Sequence, residues 1–60
     1  MRIPKHSIKV GIVESLDLVR EGIVALLNTN SDFRVVGAWS SADEAIAGMD
    51  GRFPEVLIVR

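Results

Sequence analysis

Residues 8–27, IKVGIVESLDLVREGIVALL, change their hydrophobic period part-way along and thereby decide the fold. The first six residues, IKVGIV, form a short β-branched run, which is typical of a buried strand. From Leu18 onward apolar residues recur at helical spacing, so the stretch predicts a strand followed by an amphipathic helix. The stripe predicted to face the sheet comprises Leu18, Val19, Ile23, Leu26 and Leu27, with Arg20, Glu21, Ala25 and Asn28 largely off it.

The ends of this helix carry recognisable signals. We expect Asp17 to be the N-cap, because its carboxylate can accept hydrogen bonds from the first turn. Asn28 and Asn30 indicate a stop. Gly22 inside the helix costs roughly 1 kcal/mol relative to alanine. We therefore expect its missing side chain to let the helix approach the sheet closely.

The remaining sequence repeats the alternation of strand and helix. FRVVGAW (residues 33–39) predicts a second strand. SADE (residues 41–44) matches a capping box, in which Ser41 and Glu44 satisfy each other's end of a helix start. Gly51 is a good helix terminator, and Pro54 leads into a third apolar strand ending in VLIVR. Apolar residues at helical spacing follow the capping box: Ala42, Ala45, Ile46 and Met49.

Strands that alternate with short helices predict an α/β fold with a doubly wound parallel sheet. Crossovers between parallel strands are right-handed almost without exception. If the second crossover steps back over the first strand, the strand order is 2-1-3 and the switch point lies between strands 1 and 3. Sites in such sheets lie outside the carboxyl ends of the strands at that point, which here means Glu14 with Ser15 and Arg60.

Bulk composition limits the function classes. Sixty residues make at most one small domain, whose stability is expected to be marginal. There is no cysteine and one histidine, which excludes disulfides, thiolate–zinc sites and histidine-rich metal sites. The net charge of −1 gives no reason to expect direct nucleic-acid binding. No apolar stretch is long enough for a membrane span and no signal peptide is recognisable, so we expect a cytoplasmic protein.

Glu14 and Arg60 are the candidate site residues. A lone carboxylate facing a guanidinium is a poor Mg²⁺ site, because the cation already present repels the metal. We expect an ion pair between the two, since arginine offers a planar fork matched to a carboxylate. The alternative is that Arg60 is a solvated terminal residue that touches nothing. We expect no metal and no other cofactor, with Glu14 the one residue that could contribute to a weak Mg²⁺ site.

Other chemistries find less support. No dinucleotide or Walker motif is present, and Ser15, Ser40 and Ser41 have no histidine with which to form a nucleophile–base pair. The helix start near residues 16–19 could receive an anion, although Glu14 beside it argues against this. Trp39 lies at the carboxyl end of the second strand, where it could roof a pocket, contact a partner or simply pack over neighbouring apolar side chains.

With these residues placed, the chain resembles the first half of a response-regulator receiver domain, of the kind that heads NarL/FixJ (LuxR-type) transcription factors. The resemblance runs from Ile8 to Arg60 and is carried most specifically by LVREGIVALL, FRVVGAWSSADEAI and PEVLIV. It implies a flavodoxin-like, five-stranded parallel sheet in the order 2-1-3-4-5. It also implies phosphoryl transfer to an aspartate after strand 3, with Mg²⁺ held by an acidic pair after strand 1.

This sequence departs from the family at those positions. The acidic pair falls on Glu14 and Ser15, and the phosphoacceptor position falls on Arg60. The histidine and proline that often follow the pair fall on Leu16 and Asp17. Arginine is always protonated in proteins and cannot attack a phosphoryl donor. The resemblance therefore implies an atypical receiver that is not an enzyme and not phosphorylated, so a sensor kinase is not an expected partner.

The predicted organisation is a flexible tail over residues 1–7 and a partial receiver-like domain over residues 8–60. Strands 4 and 5 and the DNA-binding output domain of the family are absent, and the third strand would be an exposed apolar edge. We expect a fragment or truncated product that acts through protein contacts, with a homodimer or the missing half as partner. The alternatives are a small-ligand or nucleotide-binding half domain, and an assembly piece that shares a sheet between chains.

Overall fold

The computed structural model describes residues 7–60, which form three strands and two helices in strict alternation. These elements are β1 (Ile8–Val13), α1 (Asp17–Asn28), β2 (Phe33–Trp39), α2 (Ala42–Met49) and β3 (Val56–Val59). Residues 1–6 of the predicted tail lie outside the described residues. Ser7 is described, and its hydroxyl donates to the Ser31 carbonyl oxygen at 3.4 Å.

The sheet is parallel throughout, with the order β2-β1-β3, which confirms the predicted fold class as a partial flavodoxin-like arrangement. β1 pairs with β3 in unbroken register from Val10–Val56 to Val13–Val59. Its register with β2 shifts after Val10, so Val36 is an extra residue in β2. Because the two crossovers step in opposite directions from β1, right-handed connections place α1 and α2 on opposite faces.

The core is centred on β1, the strand with neighbours on both sides. Val10, Ile12 and Val13 are buried, together with Ala45 of α2. A β-branched run suits this position because a central strand is covered on both of its faces. None of the helices in the described residues is both long and apolar enough to span a bilayer.

Trp39, the last residue of β2, lies on three glycines that come from three different elements. A Cβ added to Gly37 of β2 or Gly48 of α2 would overlap the indole ring. A Cβ on Gly11 of β1 would lie 3.1 Å from the ring atom Cζ3. The structure therefore shows the indole packed on these glycines between α2 and the sheet, while a contact of Trp39 with a partner stays a prediction.

The orientation of α1 differs from the predicted one. Val19, Ile23 and Leu27 are half-buried, as expected, whereas Leu18 is 83% exposed and Leu26 is 73% exposed. Residues four apart lie on the same side of a helix, so Val19, Ile23 and Leu27 form one stripe. This stripe faces the sheet, and the neighbouring positions 18 and 26 face away from it. The expectation for Gly22 is also wrong, because no described atom lies within 4 Å of a Cβ built there.

The start of α1 also differs from the prediction. The N-cap is Leu16, which makes no side-chain capping bond, and Asp17 is the first helical residue. The carboxylate of Asp17 instead accepts a hydrogen bond from Arg20, one turn further on. The helix ends at Asn28, close to the predicted stop, and the Thr29 hydroxyl donates to the Leu26 carbonyl oxygen at 2.7 Å.

One half of the predicted capping box of α2 is present; among the described residues the Glu44 carboxylate accepts from hydroxyls and not from the Ser41 N–H. Ser41 is the N-cap, and its Oγ accepts from the Glu44 N–H at 3.2 Å. The Glu44 carboxylate accepts from the Ser40 and Ser41 hydroxyls. After Met49 the chain turns through Asp50 and Gly51, both with left-handed backbone angles (φ 44° and 81°), so Gly51 serves the predicted terminating role.

β3 is the least covered strand. Within the described residues it pairs with β1 alone, and Val56, Leu57 and Val59 are 47%, 43% and 63% exposed. The prediction that the third strand is an exposed apolar edge is therefore confirmed. Such an edge can template pairing with a further strand.

Candidate functional site

The parallel register of β1 and β3 brings Glu14 and Arg60 side by side. Val13 is the register partner of Val59, so the residues that follow the two strands, Glu14 and Arg60, are also adjacent. The Glu14 N–H donates to the Trp39 carbonyl oxygen at 2.9 Å, and the Arg60 N–H donates to the Val13 carbonyl oxygen at 3.0 Å. These two bonds extend the ladders past the strand ends and hold both backbones in place.

Glu14 and Arg60 form the predicted ion pair. Arg60 Nε lies 3.4 Å from Glu14 Oε1, which rules out the alternative that Arg60 touches nothing. The two side chains differ sharply in environment, since Glu14 is 5% exposed and Arg60 is 62% exposed. A buried carboxylate requires compensation by a cation or by hydrogen bonds. Arg60 supplies the cation from the solvent side.

The second carboxylate oxygen of Glu14 is also engaged. Oε2 accepts a hydrogen bond from the Leu16 N–H at 2.9 Å. Leu16 is the N-cap residue of α1, so the Glu14 carboxylate lies against the amino end of that helix, where the helix dipole favours a negative charge. The position at which an external anion would meet α1 is therefore taken by a side chain of the protein.

Arg20 completes this arrangement, and the sequence did not reveal it. Its Nη1 donates to the Glu14 carbonyl oxygen at 2.8 Å, and its Nη2 donates to Asp17 Oδ1 at 2.6 Å. Arg20 is 20% exposed although it was expected off the sheet-facing stripe. The available signal was the spacing of Asp17 and Arg20, since oppositely charged residues three apart meet on a helix.

The other predicted site positions contribute less. Ser15 is exposed. Trp39 takes part in the site through its carbonyl oxygen, because its indole is packed on the glycines described above. The structure thus brings Glu14 and Arg60 together and adds Arg20.

Comparison with known proteins supports a regulator-like segment. Over 53 residues the chain is 40% identical to the response regulator protein VraR of Staphylococcus aureus, with the same identity in strains Mu3, COL and MW2. The match covers 88% of this chain and 25% of each relative, so the chain spans about a quarter of the length of the curated relatives it matches. No family model matches the chain. No solved structure matches it significantly.

The similarity to VraR agrees with the receiver resemblance read from the sequence. At the level of a response-regulator-like segment, that prediction is therefore supported.

The resemblance implies Mg²⁺ at this edge of the sheet, and the residues present do not fit that ion. Both oxygens of Glu14 are already engaged, one by the Leu16 N–H and one by a guanidinium. Magnesium requires oxygen ligands in near-octahedral order, usually one or two carboxylates with water and phosphate. Among residues 7–60 no group of three or more His, Cys, Asp or Glu side chains could hold a metal.

Proposed function

We propose that residues 8–60 are the amino-terminal part of an atypical receiver module from a two-component-type transcriptional regulator. The module is not phosphorylated and acts through contacts with other proteins. The observation that carries this proposal is the ion pair of Arg60 with the buried Glu14, at the strand end where the resemblance places the phosphoacceptor. The similarity to VraR supports the regulator class.

The chemistry at residue 60 supports the absence of phosphorylation. A phosphoacceptor needs a nucleophilic oxygen, and the guanidinium of Arg60 offers five N–H donors and no acceptor. Its positive charge also disfavours a metal ion beside Glu14. The acidic-pair positions add one carboxylate, on Glu14, and one hydroxyl, on Ser15.

A cation attached to the chain differs from an exchangeable metal in one important respect. Mg²⁺ and a phosphoryl group come and go, whereas Arg60 is always present and always charged. The ion pair therefore holds the ends of β1 and β3 in one arrangement. The proposed module provides a constant surface to its partners where a phosphorylated receiver would alternate between two.

The exposed surfaces support a larger assembly. β3 leaves Val56, Leu57 and Val59 partly exposed, and α1 exposes Leu18 and Leu26. We propose that further strands cover β3 and that a DNA-binding output domain follows in the complete regulator. A homodimer is the other partner that we propose for these surfaces. The segment itself binds no nucleic acid, and the regulator acts in the cytoplasm without a sensor kinase.

An NMR titration with beryllofluoride and Mg²⁺ tests the central proposal. We expect no saturable shifts of the Glu14 and Arg60 amides in the natural sequence. Two variants are compared. The single variant Arg60→Gln removes the cation, and the double variant Ser15→Asp, Arg60→Asp removes it and adds two carboxylates. We expect Mg²⁺ binding in the double variant and none in Arg60→Gln. Tight, site-specific shifts in the natural sequence would show the proposal to be wrong.

A second candidate is an assembly piece in which β3 pairs with β3 of another copy. The unpaired, apolar edge of β3 favours it. Sedimentation over a range of concentrations tests this candidate, because a shared sheet requires a dimer that dissociates on dilution. Val59→Lys should abolish that dimer, since a lysine on an edge strand opposes edge pairing. A monomer at all concentrations removes this candidate.

A further inference from the structure

A second polar surface lies at the edge of the sheet opposite to Glu14 and Arg60. Lys9 and Arg34 stand near the starts of β1 and β2, and Arg52 and Phe53 precede β3. Together with Val36 they line a groove of about 670 Å³, which we call the basic groove. Because the amino ends of parallel strands meet at one edge, these residues come together from three separate parts of the sequence.

The three cations are held near one another by the backbone. Lys9 and Arg34 are register partners on the adjacent strands β1 and β2. The Arg52 N–H donates to the Met49 carbonyl oxygen at 2.7 Å, which fixes the turn that brings Arg52 to the groove. The fold therefore sets the backbone positions of these three residues.

None of these three cations forms an ion pair with a carboxylate in residues 7–60. Glu55 is close to Lys9, but its Oε1 accepts a hydrogen bond from the main-chain N–H of Lys9, at 3.0 Å, and not from the ammonium group. Glu55 also interacts with another group of the protein. Asp32 and Asp50 belong to the flanking loops and do not line the groove. The groove thus concentrates positive charge in a protein whose net charge is −1.

Phe53 gives the basic groove an apolar wall. Its side chain is 71% exposed and lies next to Arg52 in the sequence. A single exposed apolar residue is ordinary on a protein surface. Here the ring lines the same groove as three cations, which combines a flat surface for stacking with donors for an anion.

We propose that the basic groove binds a small phosphorylated ligand with a planar base, of the mononucleotide class. The guanidinium groups of Arg34 and Arg52 and the ammonium of Lys9 bind the phosphate, and the base rests on Phe53. Arginine suits this role because its planar fork matches two phosphate oxygens. This site is separate from the amino end of α1, where the Glu14 carboxylate already lies.

Titration of the 60-residue chain with AMP, followed by amide NMR, tests the proposal. We expect saturable shifts at Lys9, Arg34, Gly51 and Phe53, and none at Glu14. Inorganic phosphate and adenosine are the two half-ligands. We expect both to bind more weakly than AMP. Added salt should weaken AMP binding, because exposed charges are screened.

Variants assign the binding to particular side chains. Arg34→Gln and Arg52→Gln should each weaken AMP binding roughly tenfold, the usual effect of losing a charge-assisted hydrogen bond. Phe53→Ala should reduce AMP affinity to that of inorganic phosphate. The control is Ala25→Glu on α1, which lowers the net charge by the same one unit away from the groove and should leave AMP binding unchanged.

Three results would overturn the proposal. One is an equal loss of AMP affinity in Ala25→Glu and Arg34→Gln, since binding would then reflect net charge alone. Another is adenosine binding as tightly as AMP, which would exclude recognition of the phosphate. The third is the absence of AMP binding to the natural sequence. If Arg34→Gln also has a lower melting temperature, the cations instead serve to stabilise the carboxyl end of α2.

Discussion

Arg20 reaches back across the first turn of α1 and donates a hydrogen bond to the carbonyl oxygen of Glu14, at 2.8 Å. The same guanidinium bonds Asp17, so one side chain fixes both the end of β1 and the start of α1. Because Arg20 is largely buried and its acceptor lies at the strand end, this contact orders the segment that presents Glu14 to Arg60.

Arg20→Met should lower the free energy of unfolding by roughly 1–2 kcal/mol, because the Glu14 carbonyl oxygen loses a charged donor. The matched control is Asp17→Asn. Asp17 is 79% exposed, and weakening its surface pair with Arg20 should cost about 0.5 kcal/mol or less. Urea unfolding followed by circular dichroism measures both. Equal losses in the two variants would contradict a special role for the bond to Glu14.

Arg60→Gln should destabilise the fold by roughly 1 kcal/mol, a value reduced from that of a fully buried pair because Arg60 is mostly solvent-exposed. A double-mutant cycle with Glu14→Gln isolates the pairwise term. We expect the double variant to be more stable than the sum of the two single losses predicts. Strict additivity would mean that the two charges do not interact.

Gly22 and Gly48 provide a matched pair of helical glycines with opposite expected effects. Gly22→Ala should stabilise the protein by about 1 kcal/mol, because the new methyl group meets no described atom and alanine favours the helix. Gly48→Ala should destabilise it, because its Cβ would overlap the indole of Trp39. Thermal unfolding of both variants checks the prediction. A stabilised Gly48→Ala would show that α2 can move away from the sheet at no cost.

Ser41→Ala should cost about 1 kcal/mol, since the Glu44 N–H at the start of α2 then loses its acceptor. Ser40→Ala is the comparison: it keeps the cap and removes only a hydroxyl that donates to the Glu44 carboxylate. We expect Ser40→Ala to cost clearly less. Chemical denaturation of the two proteins decides the order, and the reverse order would contradict the capping assignment.

Hydrophobic period was sufficient to predict the elements and their order, because β1, β2 and both helices have patterns that differ clearly from one another. The meeting of Glu14 and Arg60 was also predictable, since a 2-1-3 parallel sheet places the ends of β1 and β3 together. The rotation of α1 about its axis was not predictable from the sequence. Leu18 and Leu26 are as apolar as Val19 and Ile23, so composition alone cannot decide which stripe packs.

Contacts that leave no clear pattern in the sequence account for the remaining differences. Gly11, Gly37 and Gly48 belong to three different elements and all lie against the one indole, and no local pattern links them. The role of Arg20 depends on a carbonyl oxygen, which carries no side-chain signal in a sequence. The expected N-cap was also wrong, because Asp17 is already helical and its carboxylate pairs with Arg20.

The position of Trp39 also gives the protein an optical property. The sequence contains one tryptophan and no tyrosine, so its near-ultraviolet emission comes almost entirely from this ring. Because the half-buried ring packs against Gly11 of β1, Gly37 of β2 and Gly48 of α2, its emission wavelength should report the separation of α2 from the sheet. Partial opening of that helix could therefore be followed in real time by stopped-flow fluorescence, without attaching a dye.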